Sequence, residues 1–210
     1  MEHIDRKLAA GLLRIGAVLL RPDEPFTWAS GWHSPIYCDN RRIFSDPDLR
    51  SMVAEAFAGK VSELYPEAEI VAGVATGAIA HGALAADRLG KPFIYVRPKP
   101  KDHGTGSQIE GSLPEGAKVV VIEDLVSTGM SSLAAVEALR KAGAEVLGMV
   151  AIFTYGFDIA AQRFKEAGVR LDTLSNYGSL IEEATAEGLV GQAEAGLLSE
   201  WREDPAGWGR

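Results

Sequence analysis

Lys118-Val119-Val120-Val121-Ile122-Glu123-Asp124-Leu125-Val126-Ser127-Thr128-Gly129-Met130-Ser131-Ser132 is the stretch from which the rest of the chain can be ordered. Val119 to Ile122 is an uninterrupted β-branched run, as expected of a strand covered on both faces in a parallel sheet. Beyond the hydroxyl-rich residues, Leu133, Val136 and Leu139 share one helical face, and Ala142-Gly143 supplies the stop. The order is strand, loop, helix. In an open α/β sheet, ligands gather beyond the carboxyl ends of strands. A loop turning into a helix presents backbone N–H groups and the positive end of the helix dipole. Such a place suits a phosphate, with Ser127, Thr128, Ser131 and Ser132 as hydroxyl donors and Gly129 permitting close approach or positive φ. Glu123 and Asp124 cannot bind that phosphate; side-by-side carboxylates suit two neighbouring sugar hydroxyls. Taken alone, the same residues also read as a solvated strand end and a helix cap.

Working outward, Ile70 to Ala75 reads as a strand and Ala78 to Leu89 as a small-residue helix closed by Gly90 and Pro92. Phe93 to Arg97 and Val146 to Phe153 are further β-rich runs. Alternating β and α elements predict a parallel, doubly wound sheet with a core of about residues 60–174. The flanks differ in kind. Ile4, Leu8, Leu12, Ile15 and Leu19 recur at helical spacing over residues 4–20, while residues 26–44 have a strand-and-turn composition. They predict a small hood layer, mainly from 1–45 and the region around 175–210. The segment 190–210, with Trp201 and Trp208, reads as a tail packed on the body or on a partner.

The length of 210 residues suits one domain, and 47% hydrophobic with 24% charged residues is an ordinary globular balance. A single cysteine, Cys38, excludes an internal disulfide framework and any multi-cysteine metal site, which points to a cytoplasmic protein. No apolar run is long enough to span a membrane, and the start lacks a leader's apolar stretch. A formal net charge of −8 disfavours nucleic acid and anionic membranes as partners. Against that background, Arg97, Lys99, Lys101 and His103 form a local cationic segment, offset by Asp102 and followed by Gly104 and Gly106. By itself it also reads as an exposed basic loop.

The sequence from Val119 to Ser132 resembles the phosphoribosyl-diphosphate motif of the type I phosphoribosyltransferases: four apolar residues, two acids, two apolar residues, then Ser/Thr-Thr-Gly and a small residue. It is not a Walker loop, since no Gly-Lys-Ser/Thr follows. Arg97 to Gly104 is similar to the mobile catalytic loop of the orotate phosphoribosyltransferases. Ser30-Gly31-Trp32-His33-Ser34-Pro35 resembles the same family's signature near the base site. The resemblance runs from about residue 12 to 190. It implies an α/β, type I phosphoribosyltransferase fold in a single domain over 1–210, with no second domain to decarboxylate the product.

The resemblance further implies transfer of ribose 5-phosphate from 5-phosphoribosyl 1-diphosphate to N1 of orotate, with magnesium required. Glu123 and Asp124 would hold the ribose hydroxyls, Thr128, Gly129, Met130, Ser131 and Ser132 the 5-phosphate, and Ser127 would face orotate; Leu125 and Val126 complete the motif. Arg97, Lys99, Lys101 and His103 would meet the pyrophosphate, with Lys101 and His103 assisting its departure across a homodimer in trans. Thr76 and Gly77 would form the pyrophosphate turn. Magnesium would have no direct protein ligand, with Asp124 acting through water. Lysines that some members carry at the positions of Ala29 and Gly77 are absent here, and the orotate carboxylate has no assigned partner; Arg41 and Tyr155 are not entered as sites. A purine-base phosphoribosyltransferase and a phosphoribosyl-diphosphate-sensing regulator are the alternatives. The first would lack the Ser30–Pro35 and Lys101–Gly104 segments, and the second should carry a basic face or a DNA-binding extension.

Overall fold

The structure, a computed structural model, describes residues 4–28, 31–99 and 107–208. Its elements in chain order are α1 (Ile4–Arg14), β1 (Val18–Leu20), β2 (Phe26–Thr27), β3 (His33–Ser34), β4 (Ile36–Cys38), a 3-10 turn (Asn40–Ser45), α2 (Pro47–Leu64), β5 (Ile70–Val74), α3 (Ala78–Leu89), β6 (Phe93–Val96), β7 (Ile109–Glu110), β8 (Lys118–Val126), α4 (Met130–Lys141), β9 (Glu145–Thr154), α5 (Asp158–Glu166), β10 (Leu171–Asn176), α6 (Tyr177–Ala186) and α7 (Gln192–Glu203). They form two compact units, one from the first fifty residues together with those from Ser175 onward, the other from Ser51 to Leu174.

The second unit is built on the expected sheet. Six strands lie in the order β10-β9-β8-β5-β6-β7, with the β9/β8, β8/β5 and β5/β6 pairs parallel and the edge pair β6/β7 antiparallel. Val119 to Ile122 and Met149 to Phe153 are fully buried, which is what continuous apolar strands require when helices cover both faces. The two crossovers run in opposite directions: β5–α3–β6 steps toward one edge and β8–α4–β9 toward the other. Right-handed connections therefore place α3 and α4 on opposite faces and leave a crevice beyond the carboxyl ends of β5 and β8, where the winding reverses.

One boundary differs from the sequence reading. Glu123 to Val126, expected in the loop, continue strand β8, because the ladder to β9 runs on through Glu123↔Ala151, Leu125↔Phe153 and Val126↔Thr154. The two carboxylates hid the continuation, since side-chain polarity reports burial whereas the ladder is made by backbone.

In the first unit the helical spacing over 4–20 is interrupted. Helix α1 stops at Arg14, Gly16 takes a left-handed φ of 64°, and Val18–Leu20 instead pairs antiparallel with Ile36–Cys38. Helix α1 packs on α6, and Asp5 joins them, accepting from Ser179 Oγ at 2.7 Å on its carboxylate and from Ser175 Oγ at 2.8 Å on its carbonyl. The segment 190–210 contains a helix, α7, whose Trp201 is fully buried, edge-on to Trp28 at 5.6 Å, with Nε1 donating to the His33 carbonyl at 3.1 Å. Trp28 thus packs within this unit. No helix among the described residues is long and apolar enough to cross a membrane.

Candidate active site

Strand β5 ends in Ala75-Thr76-Gly77 before α3 begins. The Ala75 N–H donates to the Val96 carbonyl at 2.9 Å, Ile79 N–H donates to the Thr76 carbonyl at 3.3 Å, and the Ala75–Thr76 peptide is cis. Thr76 is exposed and Gly77 half-buried. Gly77 lies directly against the Asp124 carboxylate of the neighbouring strand: a Cβ there would overlap it. The missing side chain lets the β5 turn and the β8 acid occupy one place, and a lysine at 77 would require Asp124 to move.

Glu123 and Asp124 are not equivalent. Glu123 is 3% exposed; its Oε2 accepts from Ser132 Oγ at 2.8 Å and its Oε1 from the Asp124 N–H at 2.9 Å. Burial pushes the Glu123 carboxyl well above the usual carboxylate range, and the negative charge of Asp124 beside it acts in the same direction. Asp124 is half-buried. The pair thus presents one carboxylate toward Gly77 and keeps the other turned inward on Ser132, whose hydroxyl is occupied.

The loop after β8 is braced from behind. Gly129 has φ 78° and ψ 0°, a left-handed conformation that a side chain would strain, and it packs on Phe164 of α5. Arg163, also on α5, donates to the Thr128 carbonyl at 2.9 Å. Ser127 and Thr128 are half-buried, while Met130 and Ser131, at the start of α4, are exposed. The first-turn N–H groups of a helix have no partner within it, so the loop and the start of α4 together offer backbone donors and hydroxyls to an anion. Leu125 is half-buried; the Val126 side chain is fully buried and its carbonyl accepts from Thr154 Oγ1 at 3.1 Å, so Val126 supports the loop from below.

Arg97 leaves the end of β6. Its N–H donates to the Gln108 carbonyl at 2.8 Å, Gln108 Nε2 donates back at 3.1 Å, and its guanidinium lies 3.7 Å from Glu110. Gln108 and the short strand β7 that follows it carry no periodic signal in sequence. Arg97 and Ser131 both line a cavity of about 140 Å³ with Ala75 and Pro98, so the structure brings the β5 turn, the β6 end and the start of α4 together. Lys99 is exposed. Lys101 and His103 lie outside the described residues, as does Ala29. Arg41 is paired with Asp39 at 2.6 Å, and Tyr155 is 2% exposed and stacked on Phe157. His81 is buried on α3, and the Cys38 thiol donates to Asn40 Oδ1 at 3.4 Å, as packing residues do.

A switch-point crevice with a carboxylate pair on one strand and a hydroxyl-rich loop leading into a helix start suits a sugar phosphate. The model of the phosphoribosyl transferase domain matches residues 41–182. An orotate phosphoribosyltransferase of Cytophaga hutchinsonii is 54% identical over 203 residues, covering 97% of both chains. The structure of the Aeropyrum pernix orotate phosphoribosyltransferase superposes with a TM-score of 0.75 at 34% identity, covering 88% of this chain and 99% of that one. The Leishmania donovani UMP synthase gives a TM-score of 0.80 at 27% identity; 94% of this chain is covered but only 42% of the synthase. The chain belongs to the orotate phosphoribosyltransferases, within the phosphoribosyl transferase domain family.

Proposed function

We propose that the protein transfers ribose 5-phosphate from 5-phosphoribosyl 1-diphosphate to N1 of orotate, forming orotidine 5′-monophosphate and pyrophosphate in pyrimidine nucleotide synthesis. The observation that carries this reading is the contact of Gly77 with Asp124, which unites a pyrophosphate-binding turn and a ribose-binding acid at the switch point. Charge develops at the anomeric carbon and on the leaving pyrophosphate, so the protein's work is positioning and electrostatics. Asp124 accepts from a ribose hydroxyl; Glu123, buried beside it, orients the pair. The loop from Thr128 to Ser131 holds the 5-phosphate. Thr76, Gly77, Arg97 and Lys99 meet the pyrophosphate, and Lys101 and His103 stabilise its departure from the partner's loop in a cytoplasmic homodimer.

Magnesium fits as an ion carried by the substrate. The donors here are oxygens, as it prefers, and Asp124 would help to hold the ion through water beside the substrate's own oxygens. When bound, it neutralises charge on the pyrophosphate.

The test is to incubate the protein with magnesium, 5-phosphoribosyl 1-diphosphate and, separately, orotate, uracil, adenine, guanine, hypoxanthine and xanthine, following base loss and pyrophosphate release. Consumption of orotate alone is expected. Consumption of a purine would discard the base assignment, and donor binding without turnover would turn the reading toward a regulator.

A further inference from the structure

Resting on that reading, we infer that Arg163 is a positioning residue for the 5-phosphate: it holds the Thr128 carbonyl so that the Gly129 N–H points away from α5, toward the bound anion. The geometry follows from one bond and one planar peptide. Arg163 Nη1 donates to the Thr128 carbonyl at 2.9 Å. In a trans peptide the carbonyl and the next N–H point in opposite directions, so fixing the carbonyl toward α5 fixes the Gly129 N–H on the other side. The donor is a guanidinium, so the bond is charge-assisted and polarises the peptide, making that N–H a stronger donor.

Packing does not supply this orientation by itself. Helices α4 and α5 are tied by two arginines that bond carbonyls, Arg163 of α5 to Thr128 just before α4, and Arg140 near the end of α4 to Ala167 at 2.8 Å and Gly168 at 3.4 Å just past α5. Between the ties runs a groove of about 440 Å³ lined by Met130, Leu133, Arg140 and Arg163. Phe164 bounds Gly129 on one side and the Leu133 N–H holds its carbonyl at 3.0 Å, but neither contact fixes the peptide that precedes this glycine. The hydrogen bond from Arg163 therefore sets the peptide plane. Arg140 makes a bond of the same chemistry and serves as the control, since it lies at the other end of α4.

The experiment compares Arg163→Ala, Arg163→Lys and Arg140→Ala with the unsubstituted enzyme, measuring KM for each substrate, kcat, thermal midpoint, and binding of 5-phosphoribosyl 1-diphosphate by calorimetry. Arg163→Ala should weaken donor binding and raise its KM about tenfold, as loss of a charge-assisted hydrogen bond to the loop would. The KM for orotate should stay unchanged, Arg163→Lys should recover part of the loss, and added guanidinium ion at millimolar concentration should restore part of it to the Ala variant. Arg140→Ala should lower the thermal midpoint comparably with donor binding intact. The inference is overturned if Arg163→Ala loses thermal stability but binds the donor normally, or if Arg140→Ala weakens donor binding equally. The calorimetric arm decides this even if orotate is not consumed, an outcome that would count against the proposed reaction and not against the donor site.

Discussion

Glu123 and Asp124 are chemically similar neighbours with different surroundings. The buried Glu123 carboxyl lies under the start of α4, where Ser132 donates to it, while the half-buried Asp124 carboxyl beside it lies against Gly77. The sequence shows two acids at a strand end; which one is buried depends on register with β9, which no local pattern reveals. The burial has a measurable consequence. Because the folded protein holds the Glu123 proton above the ordinary value of 4.5, it binds more protons than the unfolded chain in the window above that value. Stability must then fall as pH rises through the window, by up to about 1.4 kcal/mol per pH unit for one group. Glu123→Gln, which keeps an acceptor for the Asp124 N–H and donates to Ser132, removes the ionisation. Urea midpoints measured from pH 4.5 to 8 should decline for the unsubstituted protein and decline less for the variant. Parallel curves would refute the assignment of the buried proton to Glu123.

The long buried elements were legible because their signal is local. The run Val119–Ile122, the helix Ala78–Leu89 and its stop at Gly90, whose φ is 61°, all stand where composition and capping place them. Elements held by distant partners were not. Strand β7 has two residues and depends on β6, helix α7 depends on Trp201, and α1 ends early because residues 18–20 find a partner in β4. The case of α7 is instructive: its buried face is narrow, yet Trp201 meets Trp28, Tyr177 at 5.7 Å and the His33 carbonyl. A helix whose buried face is Leu198 and Trp201 is most sensitive at the larger of the two. Trp201→Ala should therefore destabilise the protein by roughly 3–5 kcal/mol, the range for emptying a buried aromatic site. Trp201→Phe should cost less, keeping ring contacts while losing the Nε1 bond. Denaturant unfolding checks both, and a loss below about 1 kcal/mol for Trp201→Ala would mean that α7 docks through other contacts.

For the molecule as a whole, the acidic net charge and the anionic substrates pull against each other. A chain of charge −8 repels a diphosphate at long range, so cations must be concentrated where the diphosphate binds. Arg97 is partly neutralised by Glu110, and neither the β5 turn nor the start of α4 carries a lysine or arginine of its own. Backbone dipoles there can hold a phosphate, but stabilising the departing pyrophosphate requires full charges, and Lys99, Lys101 and His103 are the ones the sequence provides next to Arg97. If that segment acts across a homodimer, each site is built from two chains, and the two halves are separable by mutation. Lys101→Ala should lower kcat by about 10²–10³-fold, the range for removing one group that stabilises transition-state charge, while Asp124→Ala removes the proposed ribose contact in the other half of the site. Mixed and allowed to exchange subunits, the two inactive variants form hybrids in about half of the dimers, each with one complete site, so roughly a quarter of the original activity should return. Recovery near that fraction, with exchange verified by mass or by a size tag, places the loop in trans. No recovery despite exchange would place it within its own subunit.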